Sequence, residues 1–147
     1  MDERDQMRGL LRALGAGLGI DLEPDANDSC GLRVDDDLDI TLRFEPSPPA
    51  ILLYASVGEL PAENGESVMR RLLEANRLWE GTRGATWSLE DVEVLLARLV
   101  PVGQVDAQVL AHEVAAFAEV ALAGRHTLLA GSEINDRSAV IPDMIRA

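Results

Sequence analysis

An α+β fold, in which an antiparallel twisted sheet carries three helices in the order α-β-β-β-α-β-β-α, is predicted by three observations. Segments 4–17, 65–79 and 104–123 repeat apolar residues at helical spacing. Five shorter segments alternate, or run apolar for a few residues, as strands do. The links inside each run of strands are too short for a parallel crossover, so the pairing is antiparallel. With 147 residues the chain fits one domain. That domain is expected over residues 1–130, with a loose tail over 131–147 that holds Pro142 and little periodicity.

Each element has its own signal. The first helix sets Met7, Leu10, Leu11, Leu14 and Leu18 on a stripe, with acidic residues in its first turn where they favour the helix dipole. Gly15, Gly17 and Gly19 weaken its second half. A turn-rich stretch with Pro24, Asn27, Asp28 and Ser29 follows. Strands at 31–35 and 38–44 form a hairpin across Asp35, Asp36 and Asp37, the second alternating Leu38, Ile40, Leu42 and Phe44 with polar residues. Pro46, Pro48 and Pro49 break the pattern. The strand at 50–57 is apolar on both faces except for Ser56, which predicts a central place or a face kept for a partner. The second helix carries Val68, Leu72, Ala75 and Trp79 on one stripe and Met69, Leu73 and Asn76 on a neighbouring one. Strands at 85–89 and 92–100 come next, and Pro101 and Gly103 stop the last. The third helix turns Val109, Leu110, Val114, Phe117, Val120 and Ala121 inward.

Composition excludes several classes of function. The net charge is −13, from 26 acidic residues against 13 basic ones, all of them arginine. Such a surface repels phosphate, which argues against nucleic acid and anionic membrane as partners. No apolar run approaches the roughly 20 residues of a membrane span. The opening Met-Asp-Glu-Arg-Asp lacks the basic and apolar regions of a signal peptide, so a cytoplasmic location is expected. Cys30 is the single cysteine, which leaves no disulfide and no cysteine-based metal site.

No residue set predicts catalysis. Asp35, Asp36, Asp37 and Asp39 are carboxylates in sequence, but the spacing, glycine and closing glutamate of a calcium loop are absent, and neighbouring strand residues face opposite ways. A solvated hairpin turn is expected there, with a small metal-dependent hydrolase as the remote alternative. His112 and His126 lack the spacing of a zinc pair, and the Gly15-Ala16-Gly17-Leu18-Gly19 run follows a helix rather than a strand. No enzyme activity, metal or cofactor is expected.

The chain does offer surplus apolar surface. Two strands are apolar on both sides, and three helices cover only one face of a five-stranded sheet. Trp79 and Trp87 stand on consecutive elements, and tryptophan is a frequent interface anchor. A symmetric dimer built around 65–89 is expected, against the alternative of a tight monomer with these residues in its core.

These residues resemble the class I type III secretion chaperones, the Tir chaperone family. The resemblance runs through Leu14-Gly15-Ala16-Gly17-Leu18-Gly19-Ile20, Cys30-Gly31-Leu32-Arg33-Val34-Asp35, Leu38-Asp39-Ile40-Thr41-Leu42, Leu53-Tyr54-Ala55-Ser56-Val57-Gly58-Glu59-Leu60-Pro61, Leu72-Leu73-Glu74-Ala75-Asn76 and Gly84-Ala85-Thr86, and it covers about 4–128. Departures are the aspartate run, the proline-rich turn and the longer tail. The resemblance implies a homodimer without enzymatic activity that binds the N-terminal segment of a secreted effector in extended, export-competent form. It also implies docking on the export machinery, with its ATPase as a further partner. Effector-facing patches would use Leu11, Leu14, Leu18, Leu32, Val34 and Leu42, and dimer contacts Leu72, Ala75, Trp79 and Trp87. Some of the first group must instead be core, because one helix face cannot serve both. A regulatory binding module of the same fold, not tied to secretion, is the alternative function.

Overall fold

A computed structural model of the chain describes residues 2–35 and 37–137, with side chains described up to Leu128. Helix α1 spans Glu3–Leu18, strands β1, β2 and β3 span Ser29–Val34, Leu38–Pro46 and Pro49–Glu59, and helix α2 spans Gly65–Asn76. Strands β4 and β5 follow at Thr86–Glu90 and Glu93–Pro101, and helix α3 at Ala107–Arg137. The element order is the predicted one. All neighbouring strands are antiparallel and lie in the order β1-β2-β3-β5-β4. The two-sided apolar strand β3 is therefore central, and β1 and β4 are the two edges.

Local chemistry sets the ends of α1. The Asp2 carboxylate accepts from the Asp5 amide at 2.8 Å, and Glu3 and Asp5 sit in the first turn. Gly19 closes the helix at φ 73°, and the Ile20 amide reaches back to the Gly15 carbonyl at 2.9 Å. Gly15 is needed for contact: a Cβ there would lie 2.6 Å from the Ile20 carbonyl oxygen. Arg4 and Arg8 then hold α1 to Asp28 at the foot of β1, at 3.1 and 3.2 Å.

Two helix boundaries differ from the sequence reading. The second helix stops at Asn76, because Leu78 and Trp79 both take φ 56° in the turn that follows. The third begins at Ala107, where Asp106 accepts from the Val109 amide at 2.8 Å, and it continues to Arg137 rather than ending near 123. Apolar periodicity fades there, but no proline interrupts the backbone before Pro142. The expected loose tail thus overlaps the end of α3 over 131–137, and 138–147 lie outside the described residues.

The helices cover one face of the sheet. Leu38, Ile40, Leu42 and Phe44 of β2, Ile51, Leu53, Ala55 and Val57 of β3, and Val94, Leu96 and Val100 of β5 are buried there with Met7, Leu11, Leu110 and Phe117. On the opposite face Leu52 and Tyr54 of β3 and Leu95 and Ala97 of β5 are only half-buried, and Leu99 is exposed. Arg125 of α3 donates to the Val57 carbonyl at 3.2 Å and pairs with Asp37 at 3.1 Å, tying the helix to the β1–β2 hairpin and to β3.

Candidate functional site

The β1 edge combines an apolar groove with free peptide groups. Both backbone groups of Ser29 are taken by Asp25: the Ser29 amide donates to the Asp25 carboxylate at 3.1 Å, and its carbonyl accepts from the Asp25 amide at 2.8 Å. They therefore point away from β2. Backbone direction alternates along a strand, so the N–H and C=O of Gly31 and Arg33 also point outward. Among the described residues no hydrogen bond occupies them. Gly31 has open space where a Cβ would stand.

Beside this edge lies a groove of about 380 Å³, floored by Leu32 and Val34 of β1 and walled by Leu14, Leu18 and Ile20 on one side and by Ala111, Val114, Ala115 and Ala118 of α3 on the other. Leu18 and Ile20 are exposed, at 52% and 44%. Small alanines on α3 leave the trough open, whereas larger side chains would fill it. Arg33 and Asp35 sit at its rim. Arg33 makes a two-pronged pair with Asp39, at 2.9 and 3.2 Å, and this hydrogen bond lowers the Asp39 pKa.

The sequence-predicted residues divide between groove and core. Leu14, Leu18, Leu32 and Val34 come together in the groove. Leu11 and Leu42 are fully buried and offer this protomer no surface; they belong to the core beneath the sheet-facing side of α1. Ile20 and the α3 alanines were missed by sequence reasoning. Their one signal was small residues at Ala111, Ala115 and Ala118, on the same stretch of α3 as its large inward residues.

The β4 side is built differently. Trp87 is buried, its ring lying so close to α3 that a Cβ at Gly124 would come within 2.1 Å of it. Leu72 is buried against the same cluster and Ala75 is half-buried. Outside them Leu73, Leu78, Trp79 and Leu89 are exposed, forming a ridge along α2, the 77–79 turn and β4, and Val92 is exposed in the turn between β4 and β5. Trp79 is fixed by its indole N–H, which donates to the Thr86 hydroxyl at 3.1 Å. A shallow apolar hollow of about 140 Å³ between Met69, Leu73, Trp87 and Leu89 adjoins this ridge. Of the four expected dimer residues, Trp79 is thus on the surface, Ala75 partly so, and Leu72 and Trp87 support it from within.

Among the described residues no cluster of carboxylates, histidines and cysteine has metal-holding geometry. Asp37 and Asp39 pair with Arg125 and Arg33, and Asp36 lies outside the described residues. His112 and His126 are exposed on α3. Cys30 is half-buried on β1, and burial, with Asp25 and Glu23 nearby, raises its thiol pKa. No helix of the described residues is long and apolar enough to cross a membrane.

The same architecture recurs in solved structures. A chain of the ExsC–ExsE complex superposes with a TM-score of 0.76 at 20% identity, covering 87% of this chain and 97% of that one. A chain of the HopA1–SchA chaperone–effector complex gives 0.71 at 17% identity, with 85% and 98% covered. A chain from the Yersinia pestis type III secretion chaperone SycH with a fragment of YscM2 gives 0.67 at 17% identity, with 80% and 98% covered. At these identities the likeness establishes the fold. No curated protein matches the sequence. The model of the Tir chaperone protein (CesT) family matches residues 9–123, which include both strands of the edge hairpin, α2 and all the groove-lining residues, and the chain belongs to that family.

Proposed function

We propose that this protein is a type III secretion chaperone that holds the N-terminal segment of an effector, extended and unfolded, along the β1 edge. The observation that carries the reading is the juxtaposition of free peptide groups at Gly31 and Arg33 with the apolar groove beneath them. An added strand would gain main-chain hydrogen bonds at those two residues. Every second side chain of it would enter the trough lined by Leu14, Leu18, Leu32 and Val34. Leu11 and Leu42 act from behind, as the packed core on which that trough rests. The chaperone–effector complexes among the structural neighbours support the reading.

The exposed ridge on the β4 side suits a second copy of the chain. Trp79, with Leu73, Leu78 and Leu89, would meet its twin across a two-fold axis, with Ala75, Leu72 and Trp87 backing the contact. Burying a large apolar side chain stabilises by about 1.5–3 kcal/mol, so a few such residues in a mutual contact sustain a dimer. In this reading the protein works in the cytoplasm and without turnover, its acidic surface keeps the loaded complex soluble, and that complex docks on the ATPase of the export machinery.

The test is co-expression with N-terminal fragments of secreted proteins. A soluble complex of two chaperones with one fragment is expected, and Gly31→Pro, which removes an outward N–H, should lower fragment recovery while the free protein stays folded. A strict monomer by light scattering that retains no fragment would end the proposal.

A further inference from the structure

We infer that Asn76 is a specificity-determining residue that closes the β4 edge by acting as a substitute peptide group, so that strands add to this sheet at β1 alone. The inference rests on the strand-addition reading of β1 and extends it to the other edge. Asn76 is the last residue of α2. Its side-chain Oδ1 accepts from the Trp87 amide at 2.7 Å, and its Nδ2 donates to the Trp87 carbonyl at 3.0 Å. A side-chain amide carries one donor and one acceptor in the plane of a peptide bond, so it satisfies both outward groups of one strand residue as a neighbouring strand would. Just before the strand, the Ala85 amide is taken by the Thr82 carbonyl at 3.1 Å.

Strand β4 is only five residues long, and Trp87 is its second. With Trp87 occupied, Leu89 is the remaining strand residue whose groups point outward. One residue cannot hold an added strand in register. An unprotected edge invites pairing with any extended chain, including a second copy or the unfolded guest itself. Closing β4 with one side chain directs an extended guest to the edge that has the groove. It also leaves the neighbouring ridge of Leu73, Leu78 and Trp79 to side-chain contacts.

The experiment is amide hydrogen exchange by NMR on the full chain, alone and with a synthetic strand-forming peptide, Lys-Thr-Val-Thr-Val-Thr-Val-Lys, as the probe. In the native protein the Trp87 amide should be protected although it lies on an edge. The peptide should protect Gly31 and Arg33 and leave Leu89 unchanged. In Asn76→Ala, Trp87 exchange should rise about tenfold, the value of one hydrogen bond. The peptide should then protect Trp87 and Leu89 as well, and the variant should self-associate beyond the native state. Asn76→Ser, which keeps a polar group at the helix end but cannot reach both partners, gives a second reading if the alanine variant folds poorly. Protection of Leu89 by the peptide in the native protein would overturn the inference. So would a folded variant whose β4 edge gains neither peptide nor a second copy. Absence of protection at Gly31 and Arg33 would instead overturn the strand-addition reading, and self-association of Asn76→Ala would still report on β4.

Discussion

The two edges of this sheet are finished in opposite ways. At β1 the backbone groups of Gly31 and Arg33 face outward, and half-exposed leucine and isoleucine line the groove below them. At β4 the outward backbone groups of Trp87 are occupied by Asn76, and the tryptophan ring is pressed into α3 at Gly124. One edge has free backbone groups, and in the proposed reading it is there that an extended guest is received. The other is closed in its backbone and carries its apolar residues on the outside of α2 and the following turn, where only side chains can meet a partner. In the proposed reading the same device, an apolar surface at a strand edge, would serve two kinds of association according to whether the peptide groups are free.

The sharpest way to break the comparison is a pair of identical substitutions, one on each side. Gly124→Ala on the β4 side forces a methyl into the Trp87 ring, with an ideal Cβ 2.1 Å from the nearest ring atom. Overpacking of this kind costs about 1–3 kcal/mol, which outweighs the roughly 1 kcal/mol that alanine gains over glycine in a helix. Gly17→Ala in α1, beside the groove, meets nothing within 4 Å. There the helix gain stands alone, worth up to about 1 kcal/mol. Urea unfolding should therefore show opposite signs for one chemical change. Equal effects would mean that the β4 side is not the tighter of the two.

The groove is tested by Leu18→Glu. Leu18 is 52% exposed, so the free protein should melt within a few degrees of the native temperature. Under a bound guest, however, the new carboxylate would be stripped of water without a partner. A loss of about 2–3 kcal/mol, on the order of 100-fold in affinity for a captured effector segment, is expected by calorimetry. Unchanged affinity would place the guest elsewhere.

Element order, the β1–β2 hairpin, the central place of β3 and most of the core follow from periodicity, because burial on one face leaves a repeating mark in the chain. The phase of α1 does not. Met7, Leu10, Leu11, Leu14 and Leu18 span more than one face of the helix, and only packing against α3 and the sheet decides that Leu11 enters the core while Leu18 stays at the groove. The kink after α2 was hidden for a different reason, since Leu78 and Trp79 are residue types that seldom take positive φ and gave no turn signal. Asn76 was legible only as the polar member of the stripe it shares with Met69 and Leu73. Its partner is 11 residues away on another element, and a side chain that imitates a peptide group leaves no periodic trace.

The smallest expected effect uses Cys30 as a reporter on β1. Its thiol pKa is raised, first by burial and then by the charges of Asp25 and Glu23. The thiolate is the reactive form, so at pH 8 the native protein should react with iodoacetamide several-fold more slowly than the same chain in urea, and the rate should climb as pH rises toward the raised value. A guest strand along Gly31 and Arg33 covers the same strand and should slow the reaction further, whereas a partner confined to the β4 ridge should leave the rate as it is. Slowing by guest and no slowing by dimerisation would assign one association to each edge. The reverse pattern would exchange their roles.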